Sequence, residues 1–256
     1  MKLHYLQRAL EHPETVLLLH GMGSCGEDWE LQFPALTPRY RVLAPDAQGH
    51  GHSPKLPGPY SISQMAADVA ALLDDLQIPR VHVIGLSMGG CIAQQLALSH
   101  PNRVRSLVLV NTFAKIRPAG LGGLRRFFQR MWAVQFGGIR DVGMPLLDGL
   151  FPKPEQAELR RLGLERFLAN NTSKEVYRAV LRATVGFDSR RHLHRITAPT
   201  LVVAGDRDLT VPLACKQELH RLIPHSQLVL IPDSGHATPI DQVERFNEVL
   251  LDFLRA

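Results

Sequence analysis

Three residues of this 256-residue chain have the types and surroundings of a nucleophile, a base and an acid: Ser87, His236 and one of Asp206 or Asp208. A serine hydroxyl is a weak nucleophile at neutral pH and needs an adjacent base, itself oriented by a third group. Ser87 sits in Gly85-Leu86-Ser87-Met88-Gly89, directly after the run Val81-His82-Val83-Ile84 and before the helix-like stretch Cys91 to Leu98. That order predicts a strand, a tight turn carrying the serine, and a helix. Glycines two positions to either side remove the Cβ atoms that would collide in so sharp a turn. The apolar run Thr200 to Ala204 leads into Gly205-Asp206-Arg207-Asp208, and the run ending at Ile231 leads into Asp233-Ser234-Gly235-His236. Acid and base thus fall in loops at strand carboxyl ends, the edge that also holds Ser87. His20-Gly21-Met22-Gly23 follows the first strong apolar run, and its glycines let backbone N–H groups turn toward the serine. The backbone amides of Met22 and Met88 are therefore the candidate oxyanion donors.

The elements that must position these groups are legible in the apolar pattern. Short runs at Thr15 to His20, Arg41 to Ala44, Val81 to Ile84, Val104 to Val110, Thr200 to Ala204 and Gln227 to Ile231 read as buried strands of a parallel sheet. Helical patterns fall between them, around Ser61 to Leu76, Met88 to His100, Leu213 to Leu222 and Gln242 to Leu254. This alternation predicts an α/β fold with a mostly parallel, doubly wound sheet. It breaks between Phe113 and Leu193, where helical stretches at Arg125 to Phe136, Pro154 to Leu168 and Lys174 to Phe187 are punctuated by glycine and proline. Residues 113–193 are expected to form a helical cap, and 1–112 with 194–256 the core domain. The cap returns at both ends to the carboxyl edge of the sheet, where open α/β sheets bind ligands. Its residues Phe127, Phe128, Met131, Trp132 and Phe136 recur at helical spacing; they pack between cap helices or line a pocket. Trp132, Phe128 and Phe136 are the candidate substrate-binding residues.

Composition narrows the classes. Residues 113–195 carry 16 Lys/Arg against 7 Asp/Glu, the remainder 13 against 17. A basic segment fits an anionic small-molecule substrate, through steering and one Arg contact, and also fits a solvated basic face. No basic run has interleaved aromatics, so nucleic acid is not expected as a partner. No stretch approaches the roughly 20 apolar residues that cross a bilayer, and Met1 to Arg8 is too polar for a signal peptide. A soluble cytoplasmic protein with no membrane partner is expected. Cys25, Cys91 and Cys215 are odd in number and far apart, which predicts free thiols rather than disulfides or a zinc site. His192 and His194 lack companion ligands at metal spacing, so no metal is expected.

Taken together, His20 to Gly23 with Trp29 downstream, Asp46 to Ser53, the Ser87 turn, the Gly205 to Pro212 loop and Gly235-His236 resemble the α/β-hydrolase superfamily over nearly the whole chain. The resemblance implies a Ser87, Asp208, His236 triad, with Asp208 favoured over Asp206 by its spacing to Val211-Pro212. It implies that Asp46 and His50 to Ser53 are structural, that His20 packs behind the oxyanion loop, and that the reaction needs no cofactor. A serine in the turn argues against the dehalogenase and epoxide-hydrolase branches. Gly-Leu-Ser-Met-Gly-Gly and Leu109-Val110-Asn111-Thr112 are similar to 3-oxoadipate enol-lactonases and carboxylesterases, implying cleavage of an ester or lactone. A C–C bond hydrolase or a cofactor-free perhydrolase on the same triad, and a non-enzymatic ligand receptor on this fold, are the rival readings.

Overall fold

The computed structural model describes residues 2–117, 120–170 and 172–255. Its seven strands are β1 (Tyr5–Arg8), β2 (Thr15–Leu19), β3 (Arg41–Pro45), β4 (Val81–Leu86), β5 (Val104–Val110), β6 (Thr200–Gly205) and β7 (Gln227–Ile231). They form one sheet in the order β1-β3-β2-β4-β5-β6-β7, with β1 antiparallel to β3 and every other pairing parallel. The described helices are α1 (Phe33–Leu36), α2 (Ile62–Asp75), α3 (Met88–Ser99), α4 (Gly120–Phe136), α5 (Ile139–Leu150), α6 (Ala157–Ala169), α7 (Lys174–Gly186), α8 (Leu213–Leu222), α9 (Thr238–Asp241) and α10 (Val243–Arg255).

The period of two along each strand divides the core. Leu17, Leu19, Val83, Leu107, Leu109 and Val202 point to one face and pack with α2, α3 and α8. Their neighbours Val16, Leu18, Ile84, Val108, Val110 and Val203 point to the other, against Trp29, α1 and α10. On α10, Phe246, Leu250 and Leu254 repeat every four residues, the stripe that a helix lying on a sheet must present. Ser61 caps α2 by accepting from the Gln64 amide at 3.0 Å, and Ser173 caps α7 by accepting from Val176 at 3.3 Å.

Three features depart from expectation. β1 is an additional strand, antiparallel at the sheet margin, too short and polar to announce itself. β7 is the opposite edge strand, so Gln227 and Leu230 are exposed rather than buried. α5 forms across Gly143, Pro145 and Gly149, residues that read as breakers. It is held by Asp141, whose Oδ2 accepts the Gly138 amide at 2.8 Å, and by Val142, Leu146 and Leu147 in a third apolar cluster with α6 and α7.

Helices α4 to α7 all lie between β5 and β6 in sequence. Ser189 donates from its amide to the Ala114 carbonyl at 3.1 Å and from Oγ to Gln94 Oε1 at 2.8 Å, so this segment leaves the core beside its own entry point. Residues 190–199 then descend to the amino edge, where Leu107 donates to the Pro199 carbonyl and β6 begins.

The turn between β4 and α3 has the tightest backbone packing. A Cβ on Gly85 would overlap the Gly89 carbonyl, and one on Gly89 would overlap that of Leu19. Because the obstacle in each case is main chain, Gly89→Ala is expected to destabilise the fold by about 1–3 kcal/mol or more. Urea denaturation measures it; an unchanged midpoint would mean that α3 can back away from β2 freely.

Candidate active site

Ser87 lies at the carboxyl end of β4 with φ 54° and ψ −113°, a conformation that L residues rarely hold. It is fixed from both sides. Its amide donates to the Val110 carbonyl at 3.0 Å, and its carbonyl accepts from Thr112 Oγ1 at 2.6 Å. α3 starts at the next residue, so the serine is presented at the head of a helix whose first amides have no intrahelical acceptors. The Met88 side chain is buried in the core. Met22 lines the cavity above, together with Gly21 and Gly23.

Asp208 and His236 meet as a pair. His236 Nδ1 donates to Asp208 Oδ2 at 2.9 Å, and both side chains are almost completely buried. Asp208 Oδ1 accepts the amides of Thr210 at 2.8 Å and Val211 at 2.9 Å. Burial pushes the Asp208 carboxyl up, but His236 and then Lys216 outweigh it and hold its pKa at about 2, so it stays ionised. Asp206 is exposed and turns elsewhere, with its Oδ1 accepting the Ser234 amide at 3.1 Å.

Two polar side chains that the sequence reading left without a role hold the His236 loop. Asn111, at the end of β5 with φ 44°, brings Nδ2 to the carbonyls of His236 (2.9 Å) and Gly235 (3.2 Å) and to Thr238 Oγ1 (2.8 Å). Its Oδ1 accepts the Gly205 amide at 2.9 Å, so one amide ties β5, β6 and the loop after β7. Asp241 accepts from the Gly235 amide at 2.6 Å and from Ser234 Oγ at 2.9 Å, and burial raises its pKa. Lys216 is the third omission. The only local signal for Asn111 was a polar residue ending an apolar strand; Lys216 on a helix gave none.

His20 and Asp46 have the structural places expected of them. His20 Nε2 accepts the Ala47 amide at 2.9 Å, which puts its proton on Nδ1, facing the Gly21 carbonyl at 2.7 Å. Burial lowers its pKa, consistent with this neutral form behind the Gly21 to Gly23 turn. Asp46 accepts the amides of Gly26 at 2.7 Å and His52 at 2.8 Å, and pairs with His4 at 2.8 Å. The three cysteine thiols are free and buried apart; burial pushes Cys25 and Cys91 to about 12. Among the described residues no group of three His, Cys, Asp or Glu is placed to hold a metal ion, and no helix is long and apolar enough to cross a membrane.

Ser87, Asp208 and His236 open onto one cavity of about 990 Å³ between the sheet edge and α4 to α7. Its walls are largely apolar, among them Phe113, Phe127, Met131, Leu146, Phe167 and Leu181. The expected substrate contacts Trp132, Phe128 and Phe136 are not among them. These side chains are 69%, 65% and 66% exposed and face away from the cavity. α4 is apolar on two faces, and only one of them meets the cavity. Positions 128, 132 and 136 form the outer stripe, while Gly123, Phe127, Arg130 and Met131, on the neighbouring stripe, face inward. Arg130 donates to Tyr177 Oη at 2.8 Å and lies over that ring, while its Nε is buried without a hydrogen-bond partner.

A strained serine at a strand-to-helix turn, an Asp–His pair on the next strand ends and a glycine turn opposite are features of one enzyme class. The family model for the α/β hydrolase fold matches residues 14–243, and the chain belongs to that family. It is 35% identical to RutD of Stutzerimonas stutzeri, a protein provisionally assigned as a carbamate hydrolase, over 98% of this chain and 96% of that one. The enol-lactonase of Burkholderia xenovorans superposes with a TM-score of 0.88 at 29% identity, covering 99% of this chain and 96% of the other. A meta-cleavage product hydrolase of Pseudomonas fluorescens superposes at 0.85 with 25% identity, covering 99% and 94%. The chain is thus a hydrolase of the α/β fold.

The geometry distinguishes the two acids. Asp208→Asn is expected to lower kcat/KM on an activated ester by about 10³-fold or more, because an amide that cannot anchor Nδ1–H leaves the imidazole in the wrong tautomer. Asp206→Asn should stay within about tenfold, since the amide oxygen can still accept its one contact, from the Ser234 N–H. Steady-state kinetics of the two purified variants decides, and the reverse ranking would move the acid to Asp206.

Proposed function

We propose that this chain is a serine hydrolase that cleaves a carboxylic ester or lactone through an acyl-enzyme. The observation that carries the reading is that Ser87, held at positive φ, shares a cavity with a His236 already bonded to a buried, ionised Asp208. In the first half-reaction Oγ of Ser87 attacks the substrate carbonyl as His236 Nε2 takes its proton, and Asp208 steadies the resulting imidazolium. The amides of Met22 and Met88 receive the oxyanion. His236 then returns the proton to the leaving alkoxide. Water, deprotonated by the same imidazole, attacks the acyl group, and collapse of the second adduct frees the acid and restores Ser87.

The cavity supports the choice of substrate class. At about 990 Å³ it exceeds what a carbamate or short acyl group fills, and its walls favour a substantial apolar moiety. A carboxylate-bearing lactone has one candidate partner there in Arg130, whose guanidinium makes no ion pair with any described residue. The second reading, hydrolysis of a C–C bond by the same triad, is favoured by the likeness to the meta-cleavage product hydrolase.

Ser87→Ala is expected to lower turnover of p-nitrophenyl esters by roughly 10³-fold or more. A fluorophosphonate probe should label the unaltered chain and not this variant. Retained turnover in purified Ser87→Ala protein would end the triad reading, and an unlabelled parent chain would favour a ligand receptor. A panel of short esters, long esters, carboxylate-bearing lactones, carbamates and vinylogous diketones then ranks the substrate classes. Long esters or lactones are expected to lead.

A further inference from the structure

Lys216 projects from the first turn of α8 back under the loop that carries Asp208, and its side chain is completely buried. Nζ lies 2.7 Å from Asp208 Oδ2 and also donates to the Val211 carbonyl. Oδ2 is therefore shared by two donors, the Lys216 ammonium and the His236 Nδ1–H at 2.9 Å, while Oδ1 is held by two backbone amides. Orientation alone does not explain the lysine. The two amides and the imidazole already fix the carboxylate, and a neutral donor would fill the fourth place without the desolvation that a buried ammonium suffers.

We propose that Lys216 is a positioning residue for the base, whose ammonium cancels the buried Asp208 charge in the resting site so that His236 stays unprotonated, and the enzyme active, at lower pH. The inference rests on the triad reading above. Beside a lone buried carboxylate, a neutral imidazole gains a proton readily, because an ion pair forms where a bare charge stood. With Lys216 in place that ion pair already exists, and protonating His236 takes the group from neutral to a net positive charge. The ammonium is no farther from Nδ1 than two hydrogen bonds laid end to end, close enough for a shift of about one to two pH units.

Catalysis does not suffer in proportion. When Ser87 attacks, the proton reaching His236 is matched by the oxyanion forming beside Met22 and Met88. Carboxylate, ammonium, imidazolium and oxyanion then sum to zero, as carboxylate, ammonium and imidazole did before attack. Lys216 thus opposes resting protonation more than protonation in the transition state, which is the differential that raises rate.

The groups facing this cluster are few. Asp208 is faced by His236 and Lys216. Burial lowers the Lys216 pKa while Asp208 beside it pulls the other way, and on α8 the lysine is faced by the Cys215 thiol, which burial keeps protonated and which Glu218 and Arg117 also approach. Asp206 and Asp241 face the Ser234–Gly235 segment on the other side of the histidine loop.

Lys216→Met removes both charge and hydrogen bond; Lys216→Gln removes the charge and keeps a donor. The measurement is the rate of fluorophosphonate labelling and kcat/KM for p-nitrophenyl butyrate between pH 4.5 and 9. Both variants are expected to move the acid limb up by about one pH unit, losing up to roughly tenfold at pH 5 and staying within a few-fold of the parent at pH 8.5. A folded Lys216→Gln protein whose acid limb is unmoved overturns the inference. So does an equal loss at every pH, the signature of a structural strut. If the Met variant does not fold, the Gln variant decides alone. Failure of the triad reading has a different signature, a parent chain that the probe does not label at any pH.

Discussion

The strained turn at Ser87 is the constraint from which the rest of the site follows. A residue at φ 54° and ψ −113° costs of order 1–3 kcal/mol and persists only when its surroundings over-determine it. Here they do. The Ser87 amide donates to Val110 and its carbonyl accepts from Thr112, while the Gly90 and Cys91 amides donate to the same carbonyl, so the turn is closed both from β5 and from within. The two flanking glycines allow α3 to lie directly against β2 and β4, main chain on main chain. A helix pressed that closely is buried along most of its length, which is why Cys91, Ile92, Leu96 and Ala97 have no accessible surface to speak of. The strain at one residue is thus balanced by the burial of a whole helix.

β5 extends its influence across the sheet. Asn111 follows Val110 at its carboxyl end and reaches the end of β6 and the loop after β7 with a single side chain. A buried amide with all its groups bonded is specific in a way that apolar packing is not: it fixes distances between three chain segments at once. Ser87, Asp208 and His236 come from three separate strand ends, and Asn111 and Thr112 together touch the backbone of the elements that carry all three. Asp241 adds a second clamp on the histidine loop from α9. Asp241 is half-buried there, and burial raises its pKa.

Most of the scaffold was legible because the short continuous apolar runs of β2, β4, β5 and β6 differ so plainly from the helical patterns between them. The lost elements share a physical reason. β1 earns its pairing only from the neighbouring β3, which local sequence does not reveal, and α5 forms over glycines and a proline because tertiary packing outweighs propensity. The acid, the base and the nucleophile were legible because their loops follow strands whose ends must coincide. Trp132, Phe128 and Phe136 were misplaced because α4 carries two apolar stripes, and periodicity gives a stripe's existence but not its partner. Lys216 was invisible for the opposite reason. A lysine in a helix's first turn reads as solvated, and only the loop folding over it turns that side chain into part of the site.

The charge of residues 113–195 shows how far a sum can stand from a site. Arg161 pairs with Glu158 and Glu165 on its own helix, Arg190 with Asp188, and Lys153 with Asp233. Arg160 covers the carbonyls of Phe151, Lys153 and Pro154, an end of α5 and the start of the next turn. Arg166 crosses to Asp28 and Glu30 of the core, so a cation at the cavity wall arrives already neutralised. Asp148 and Glu165 also line the cavity. Among the described residues, what the segment's excess of basic residues delivers to the interior without an ion pair is one guanidinium, Arg130, backed by the Tyr177 ring. Selectivity for an anionic substrate would therefore be a matter of one directed contact at short range, insensitive to the net charge that surrounds it and little screened by salt.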